Sequence, residues 1–451
     1  MSAKASVTPS DSAANSLPLS RVALFGLGDW GPSTASTAVL FFLPFFLTDI
    51  ARIQPSVAAW VLLAGGAWDA LCVPLIGAWS DRTRTRIGRR RPFMLAGALP
   101  FALAFASLWW IPPWHGAARA VYFALAYLAF DTAFAAVQVP YASLTPELSL
   151  VPADRTRLNA ARAVVSMVGG LVAAASIPAA IHAFEDRARG YAVTMAVVGL
   201  VGMVPFLILG TRLRERPARD QGPAPHPLRE IRGALQTPAV REAALVYLAA
   251  WVTVSVVASM FEYFITHVLG MVGKLDVILG LVQCSALVSV PLVAWASERF
   301  GRRKTLAVGA LFWSAVLFGL MLLPREHATW GYGLALLCGP GIAASHVIPW
   351  TLIADAVEAD EKHSGRRREG AVYGVLGFAQ KAAVALAVSG SQAVLGRAGY
   401  NASLRVQSEQ VQFAIRMLFS LGPAVLLLVL AFAMVIRRGH DQRDRSAAMQ
   451  A

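Results

Sequence analysis

Long apolar stretches recur along the chain from residue 22 to residue 436, and short polar segments separate them. A helix that crosses the hydrocarbon core of a bilayer needs about 20 mostly apolar residues. The pattern therefore predicts an all-α membrane protein with twelve transmembrane helices. These spans are expected at residues 22–48, 57–79, 93–111, 119–144, 158–183, 191–211, 241–268, 276–297, 305–323, 330–355, 371–396 and 409–436.

Composition and charge agree with a membrane protein. Hydrophobic residues make up 57% of the chain and charged residues 15%, against about 45–50% and about 25% in soluble domains. The net charge of +14 suggests nucleic-acid binding at first sight, but 30 of the 40 Lys and Arg residues fall on one side of the spans, 8 on the other and 2 inside them. This positive-inside pattern predicts a multi-pass protein of the cell membrane with both termini in the cytoplasm and no nucleic-acid partner.

The chain is predicted to divide into two six-helix bundles. Residues 1–20 are polar and Ser-rich and lack the apolar core of a signal peptide, so we expect a disordered cytoplasmic tail. The N-terminal bundle is expected at 21–211 and the C-terminal bundle at 241–436. The loop 212–240, rich in Pro and Arg, would link them through the cytoplasm, and 437–451 would form a second cytoplasmic tail.

A short motif repeats in the corresponding loop of each half. After the second span the chain reads acid, Arg, Gly and a basic cluster over residues 81–91, and the same order returns over 298–304 after the eighth span. Two related bundles around a central cavity are the architecture of major facilitator transporters. Ion pairs made by these residues would latch a cytoplasmic gate, and a simple surface charge run is the alternative. The gate candidates are Gly77, Asp81, Arg82, Arg89, Arg90, Glu298, Arg299, Arg302 and Asp355.

Neither a cofactor nor an enzymatic centre is indicated. The glycines of Gly26-Leu-Gly28-Asp-Trp-Gly31 match the dinucleotide-binding pattern, but that motif needs a preceding strand and a βαβ unit. Here the segment opens a membrane helix, so we interpret the glycines as positions of close helix packing. The three cysteines have neither the spacing of a zinc site nor that of a disulfide framework. No nucleophile–base pair suggests an enzyme.

Three ionisable residues lie near the centres of predicted spans: Asp69, Asp131 and Lys381. A charged group at mid-bilayer costs at least about 2.5–3.5 kcal/mol on insertion scales, so it marks a pathway or a site. Two carboxylates and one ammonium group that face a common cavity would respond to a proton or a cation. We therefore predict that they couple transport to an ion. A static salt bridge between the halves is the alternative.

Within the major facilitator fold, the chain resembles the glycoside–pentoside–hexuronide:cation symporters. The resemblance is carried by GLGDWG in the first span, Trp68-Asp69-Ala70 with Pro74 in the second, SDRTRTRIGRRRPF after it, VPYASLTPEL followed by DRTRLNAAR, and ADAVEADEKHSGRRREG before the eleventh span. The resemblance to melibiose permease places Asp69 and Lys381 at its cation site. Val73, Gln138 and Ala135 replace the other ligands there, so sodium coupling is less expected than proton coupling.

The fourth span, Phe130-Asp131-Thr-Ala-Phe-Ala-Ala-Val-Gln138-Val-Pro140, is similar to the plant sucrose-transporter pattern L-D-V-A-N-N-x-x-Q-G-P. This resemblance implies that Asp131 handles both proton and substrate, with Gln138 as a hydrogen-bonding residue. Arg162 aligns with a sugar-binding arginine of melibiose permease, and a topology charge is its alternative. His346 aligns with the family's sugar-stacking Trp, and ordinary packing is its alternative. Trp68 and Tyr373 are candidate stacking surfaces.

The resulting prediction is a proton-coupled symporter of a small glycoside or disaccharide that works by alternating access. Its partners would be the small-molecule substrate and the lipid bilayer, and the protein is expected to be a monomer driven by the proton gradient without a cofactor. A lysophospholipid-like or other amphipathic solute is the alternative cargo, because the fourth span also resembles that of the family's lysophospholipid transporters.

Overall fold

Twelve apolar helices long enough to cross a membrane make up the protein. The computed structural model describes residues 17–149, 151–213, 215, 233, 235–364, 369–404 and 406–434. The helices are α1 Leu19–Ile50, α2 Pro55–Arg82, α3 Arg91–Leu108, α4 Ala117–Ala142, α5 Ala153–His182, α6 Arg187–Arg212, α7 Pro238–Val268, α8 Leu275–Phe300, α9 Arg302–Leu322, α10 Trp330–Lys362, α11 Val372–Arg397 and α12 Glu409–Met434. No strand occurs among the described residues.

All twelve predicted spans are confirmed as helices, and their ends differ from the predicted bounds by a few residues. The largest difference is at α10, which runs to Lys362 instead of ending near residue 355. The predicted span places the acidic and basic residues after position 355 in a loop, whereas those up to Lys362 lie on a cytoplasmic extension of the helix. Most of the predicted linker 212–240, residues 1–16 of the predicted first tail and the whole of the second tail lie outside the described residues. The first tail is predicted to reach residue 20, but α1 already begins at Leu19.

The packing of the helices repeats between the two halves. In the first half α2 packs on α4, α3 on α4 and on α6, and α1 on α5 and on α6. In the second half the helices six places later make the same pairs: α8 with α10, α9 with α10 and with α12, and α7 with α11 and with α12. Between the halves α2 packs on α11, α5 on α8, and α1 on α7. This pattern is that of a pseudo-two-fold axis between two six-helix bundles.

The outer ends of α1 and α7, which are equivalent under this symmetry, share an uncommon backbone feature. Both helices end in a π-helical turn, Phe46–Ile50 in α1 and Phe264–Val268 in α7. A third π-turn, Met417–Leu421, lies within α12. Such turns are rare and are found frequently at functional sites.

The glycines at the start of α1 permit close helix packing, as predicted. A Cβ atom on Gly31 would lie 2.3 Å from the backbone oxygen of Gly202 in α6, and one on Gly26 would lie 2.9 Å from the backbone oxygen of Ala161 in α5. Any larger residue would therefore push α1 away from its neighbours. This packing sets the position of Asp29, which lies between the two glycines.

Candidate transport site

A cavity of about 620 Å³ lies between the two halves, within the usual size range of small-molecule sites. Its walls come from α1, α4 and α5 on one side and from α7, α8 and α10 on the other. Its lining in the second bundle includes apolar residues of α7, α8, α9, α10 and α12, and we call this part of the cavity the apolar arm. This apolar arm is lined by Phe264, Ile265, Leu269, Ile278, Val282, Trp313, Leu320, Ala335, Cys338 and Phe419.

Polar side chains are distributed unevenly around the cavity. The first half contributes Asp29, Ser33, Ser36, Thr37, Gln138 and Ser166. Most residues of the second half are apolar or aromatic, and its polar groups are Gln283, His346 and the indoles of Trp251, Trp313 and Trp350. The cavity therefore has one polar wall and one largely apolar wall.

A charged cluster around Asp29 forms the polar centre of this wall. Arg162 of α5 donates from Nε to Asp29 Oδ2 at 2.6 Å and from Nη2 to Oδ1 at 3.4 Å. Gln138 Nε2 of α4 donates to Oδ1 at 3.4 Å, and the Tyr141 hydroxyl donates to Oδ2 at 3.4 Å. The Arg162 guanidinium also lies 4.8 Å from the centre of the Tyr141 ring. Two predicted substrate-binding residues, Gln138 and Arg162, thus meet at one carboxylate.

The sequence did not single out Asp29 as the centre of this cluster, because an acid near the cytoplasmic end of a helix is commonly a cap or a gate residue. Only the residues that contact it from α4 and α5 reveal its position. The Gln138 Oε1 atom is buried and has no hydrogen-bond partner in the described part of the chain. It is therefore an acceptor available to a substrate hydroxyl or amine.

The opposite wall carries an aromatic group at mid-membrane. His346 lines the cavity, donates from Nδ1 to the Ile342 backbone oxygen at 3.0 Å, and packs its ring edge-to-face on Trp251 at 5.3 Å. Trp350 lines the cavity beside it and stacks on Tyr373, with 6.2 Å between the ring centres. Tyr373 is not among the lining residues, so it supports Trp350 instead of facing the cavity as predicted.

The three predicted coupling residues come together as expected, but they do not line this cavity. Lys381 of α11 forms an ion pair with Asp69 Oδ2 of α2. Asp131 of α4 is 5% exposed and lies within electrostatic range of both. The three residues therefore lie at the contact of α2 with α4 and α11, apart from the cavity described above.

Trp68 also has a different position from the predicted one. Its indole Nε1 donates to the Thr132 hydroxyl at 2.8 Å, so it joins α2 to α4 beside the coupling residues. It does not line the cavity. The Asp69 and Lys381 side chains keep 22% and 29% of their surface exposed, whereas Asp131 Oδ2 is buried without a partner among the described residues.

The predicted gate residues lie at the cytoplasmic ends of the helices and pair within each half. In the first half Asp81 pairs with Arg90, and Arg89 Nη2 pairs with Glu147 Oε1 at 2.6 Å. In the second half Arg302 pairs with Asp355. The remaining candidates are Gly77, which faces Val139 of α4, and Arg82, Glu298 and Arg299, which are exposed.

Glu215, at the start of the linker, makes a contact that the sequence did not predict. Its carboxylate accepts hydrogen bonds from three consecutive backbone amides, those of Arg89 at 2.7 Å, Arg90 at 2.9 Å and Arg91 at 2.7 Å. These amides open α3, and a helix N-terminus favours a negative charge. The linker is thereby attached to the gate loop of the first half.

Polar contacts between the halves are concentrated near the middle and the outer face. The Asp69–Lys381 pair crosses at mid-membrane, and Tyr191 of α6 donates to Glu262 of α7 at 3.3 Å nearer the outer face. Asp49 of α1 meets His267 of α7 at 3.2 Å at that face. The cytoplasmic ion pairs among the described residues all stay within one half. The outer side is therefore the closed side of this structure.

Two pseudo-symmetric bundles around a central cavity define a major facilitator transporter. A family model described as MFS/sugar transport protein matches residues 24–437. The chain belongs to this family, and its resemblance to the glycoside–pentoside–hexuronide:cation symporters is confirmed. It is thus a multi-pass membrane protein of a transporter family.

Relatives named for different substrates match nearly the whole chain. The putative glycoside/cation symporter YagG of Escherichia coli is 26% identical, over 94% of this chain and 93% of that protein. The sodium-dependent lysophosphatidylcholine symporter 1-A of Danio rerio is 25% identical, over 89% and 82%. The crystal structure of a point mutant of the nucleoside transporter NupG covers 92% of this chain and 99% of that one, with 12% identity and a TM-score of 0.71, and supports the fold alone.

Proposed function

We propose that this protein is a proton-coupled symporter that carries a single-chain amphiphile, such as a lysophospholipid-like solute, by alternating access. The single observation that carries the choice of substrate is the cavity, which has a charged polar wall and an apolar arm that extends into the second bundle. A solute with a polar head and an apolar chain satisfies both. A polar solute would leave the arm without a partner.

The polar head would bind at Asp29 and Gln138, which line the cavity. Gln138 offers an unpartnered carbonyl oxygen. Arg162 does not line the cavity but is bonded to Asp29, and its planar guanidinium would bind a phosphate or carboxylate group that takes the place of this partner. The apolar chain would follow the side chains of Phe264, Ile278 and the other residues of the arm. Burial of each CH₂ group contributes about 0.8 kcal/mol, so chain length would set the affinity.

Coupling would depend on Asp131 together with the Asp69–Lys381 pair. A buried carboxylate without a partner is stabilised by taking up a proton. Protonation of Asp131 removes one negative charge from between α2, α4 and α11, which leaves Lys381 and Asp69 as a balanced pair. Since α2 and α11 belong to different halves, the change in charge alters the attraction between the halves. A sodium site would need several oxygen ligands, and Asp69 and Asp131 are the two carboxylates within this cluster.

A glycoside is the second candidate substrate. Ser33, Ser36 and Thr37 line the cavity from the first half, and the aromatic residues Trp251 and Trp350 line it from the second. Sugars bind by hydrogen bonds on one side and ring stacking on the other. The glycoside/cation symporter of Escherichia coli named above supports the same choice. In this case the apolar arm would hold the aglycone or remain outside the substrate site.

Uptake into proteoliposomes tests these proposals. A panel of lysolipids of increasing chain length and of disaccharides is offered under an imposed proton gradient or an imposed sodium gradient. We expect accumulation of a lysolipid with the proton gradient, loss of uphill accumulation in Asp131→Asn, and retained downhill exchange in that variant. Accumulation of sugars alone rejects the amphiphile, and full proton-driven uptake by Asp131→Asn rejects the coupling.

A further inference from the structure

A second group of ionisable residues lies at the closed outer face, away from the coupling residues. His267 Nε2 is 3.2 Å from Asp49 Oδ1 and 2.7 Å from the Tyr400 hydroxyl. The Tyr400 hydroxyl is also 2.6 Å from Asp49 Oδ2, which completes a triangle of contacts. We call these three residues the outer triad. His267 and Tyr400 are each 7% exposed, and the Asp49 side chain is 9% exposed.

The outer triad connects the two halves of the transporter. Asp49 belongs to the π-turn of α1 in the first half, and His267 belongs to the equivalent π-turn of α7 in the second. Tyr400 follows α11. A neighbouring contact, the Tyr263 hydroxyl with Thr48 Oγ1 at 2.7 Å, joins the same two helix ends. Because α1 must separate from α7 when the outer side opens, these bonds must break at that step.

The hydrogen bonds define where a proton can be added. Nε2 of His267 lies against a carboxylate, so the favourable neutral tautomer carries its hydrogen on that nitrogen. The Nδ1 atom is buried and has no partner within the described residues. A second proton would therefore be taken up at Nδ1, which gives an imidazolium whose charge opposes that of Asp49.

Two acids and one arginine lie in and beside the triad. Asp49 and Glu262 are two largely buried acids near the outer face. Arg187 of α6 lies 4.0 Å from Glu262, and its side chain is 37% exposed. Within 4.0 Å of Asp49 the one basic side chain in the described part of the chain is His267. Among the described residues, the titratable and charged groups around the triad are Arg187, Tyr191, Glu262 and Tyr263, with His182 bonded to Arg187, and Arg119, which donates to the Ala51 backbone oxygen at 2.7 Å.

We propose that His267 is a second proton-binding residue of the transport cycle, which takes up a proton from the outside medium at Nδ1 as the outer gate closes and returns it when the gate opens. The protonated ring and Asp49 then hold α1 against α7. This inference rests on the proposed proton-coupled transport, but it concerns the gate and not the Asp131 site. External acid is expected to close the outer side.

Distance measurements between spin labels on the two halves test this inference. The labels are placed by Ala118→Cys at the outer start of α4 and Val272→Cys after α7, with Cys284→Ala to remove the exposed native thiol. The full-length protein is reconstituted in nanodiscs. Between about pH 8 and about pH 5.5, which spans the titration range of histidine, we expect the long-distance, outward-open population to fall several-fold.

The variants separate the triad from other titrating groups. His267→Gln keeps a donor towards Asp49 but cannot take up a proton, so its outward-open population is expected to be independent of pH. His115→Gln, a matched change at an exposed outer loop, should behave as the parent protein does. A pH response in His267→Gln as large as that of the parent overturns the inference.

Two further variants keep the test decisive if His267→Gln folds poorly. Asp49→Asn removes the charge opposite the ring, so the pH midpoint of closure should fall, and an unchanged midpoint overturns the inference. Asp131→Asn should lose proton-driven accumulation but retain the pH response of the gate. A response that disappears in Asp131→Asn and persists in His267→Gln overturns the second site and leaves the proposed coupling intact.

Discussion

Replacing Lys381 by Gln tests the charge balance at the centre of the protein. Lys381 is the positive partner of Asp69 across the α2–α11 contact, and it also lies within range of the buried Asp131. Without it, two carboxylates remain in one partly buried cluster, and one of their oxygens, Asp69 Oδ1, already lacks a hydrogen-bond partner among the described residues. The variant is therefore expected to unfold more easily.

The size of the effect follows from the burial of the pair. Removing one partner of a fully buried ion pair costs about 3–5 kcal/mol, whereas exposed pairs contribute about 0–1 kcal/mol. With about a quarter of each side chain exposed, we expect Lys381→Gln to lower the free energy of unfolding by roughly 1–3 kcal/mol. Asp69→Asn should cost less, because Lys381 then still faces Asp131.

The measurement is a double-mutant cycle with unfolding by sodium dodecyl sulfate in mixed micelles. The double variant with Asp69→Asn and Lys381→Gln keeps Asp131 as the acid of this cluster, so it should be more stable than Lys381→Gln alone. The coupling energy between positions 69 and 381 should exceed about 0.5 kcal/mol. Lys362→Gln, at an exposed lysine paired with Glu358, is the matched control and should leave the free energy of unfolding unchanged. Additive single effects, or a larger loss in Asp69→Asn than in Lys381→Gln, would refute the reasoning.

Three more outcomes are expected. Asp29→Asn removes the charged acceptor of Arg162 from the proposed substrate site. The KM for transport should rise about tenfold, which corresponds to about 1.4 kcal/mol of binding free energy, at unchanged expression. Glu215→Gln weakens three charged hydrogen bonds to the start of α3 and should lower the unfolding free energy by about 1–2 kcal/mol. Gly31→Ala forces a contact of 2.3 Å and should lower the melting temperature, whereas Gly377→Ala, which meets open space, should not.

The fold was predictable because its signals are local and repeated. A span is recognisable from about 20 apolar residues, the orientation from the placement of Lys and Arg, and the two halves from a loop motif that occurs twice. The close packing of Gly31 also followed from sequence, because a glycine motif that opens a membrane helix has few other uses.

The arrangement of the sites was only partly predictable, because it depends on which helix faces which. The sequence correctly grouped Asp69, Asp131 and Lys381, since charges in hydrocarbon must find one another. It did not reveal that the α2–α11 contact separates them from the cavity. Asp49 and His267 gave no signal, because both lie near span ends, where polar residues are common. Their meeting depends on the α1–α7 contact between distant parts of the chain.

The polar contacts between the two halves indicate which interactions must be exchanged when the transporter changes conformation. In this structure the halves are joined by polar contacts at the outer triad and at Asp69–Lys381, while the described cytoplasmic ion pairs lie within each half. Opening the outer side must break the contacts of the outer triad. Contacts of similar free energy must then form on the cytoplasmic side, because the outward-open and outward-closed states of a transporter must remain within a few kcal/mol of each other. The arginines of the two gate loops are the charges available for that exchange. Because they are already paired within their own halves, closing the cytoplasmic side would exchange one set of ion pairs for another. Under the two proposals above, a change in charge at Asp131 or His267 would then shift the balance between the states.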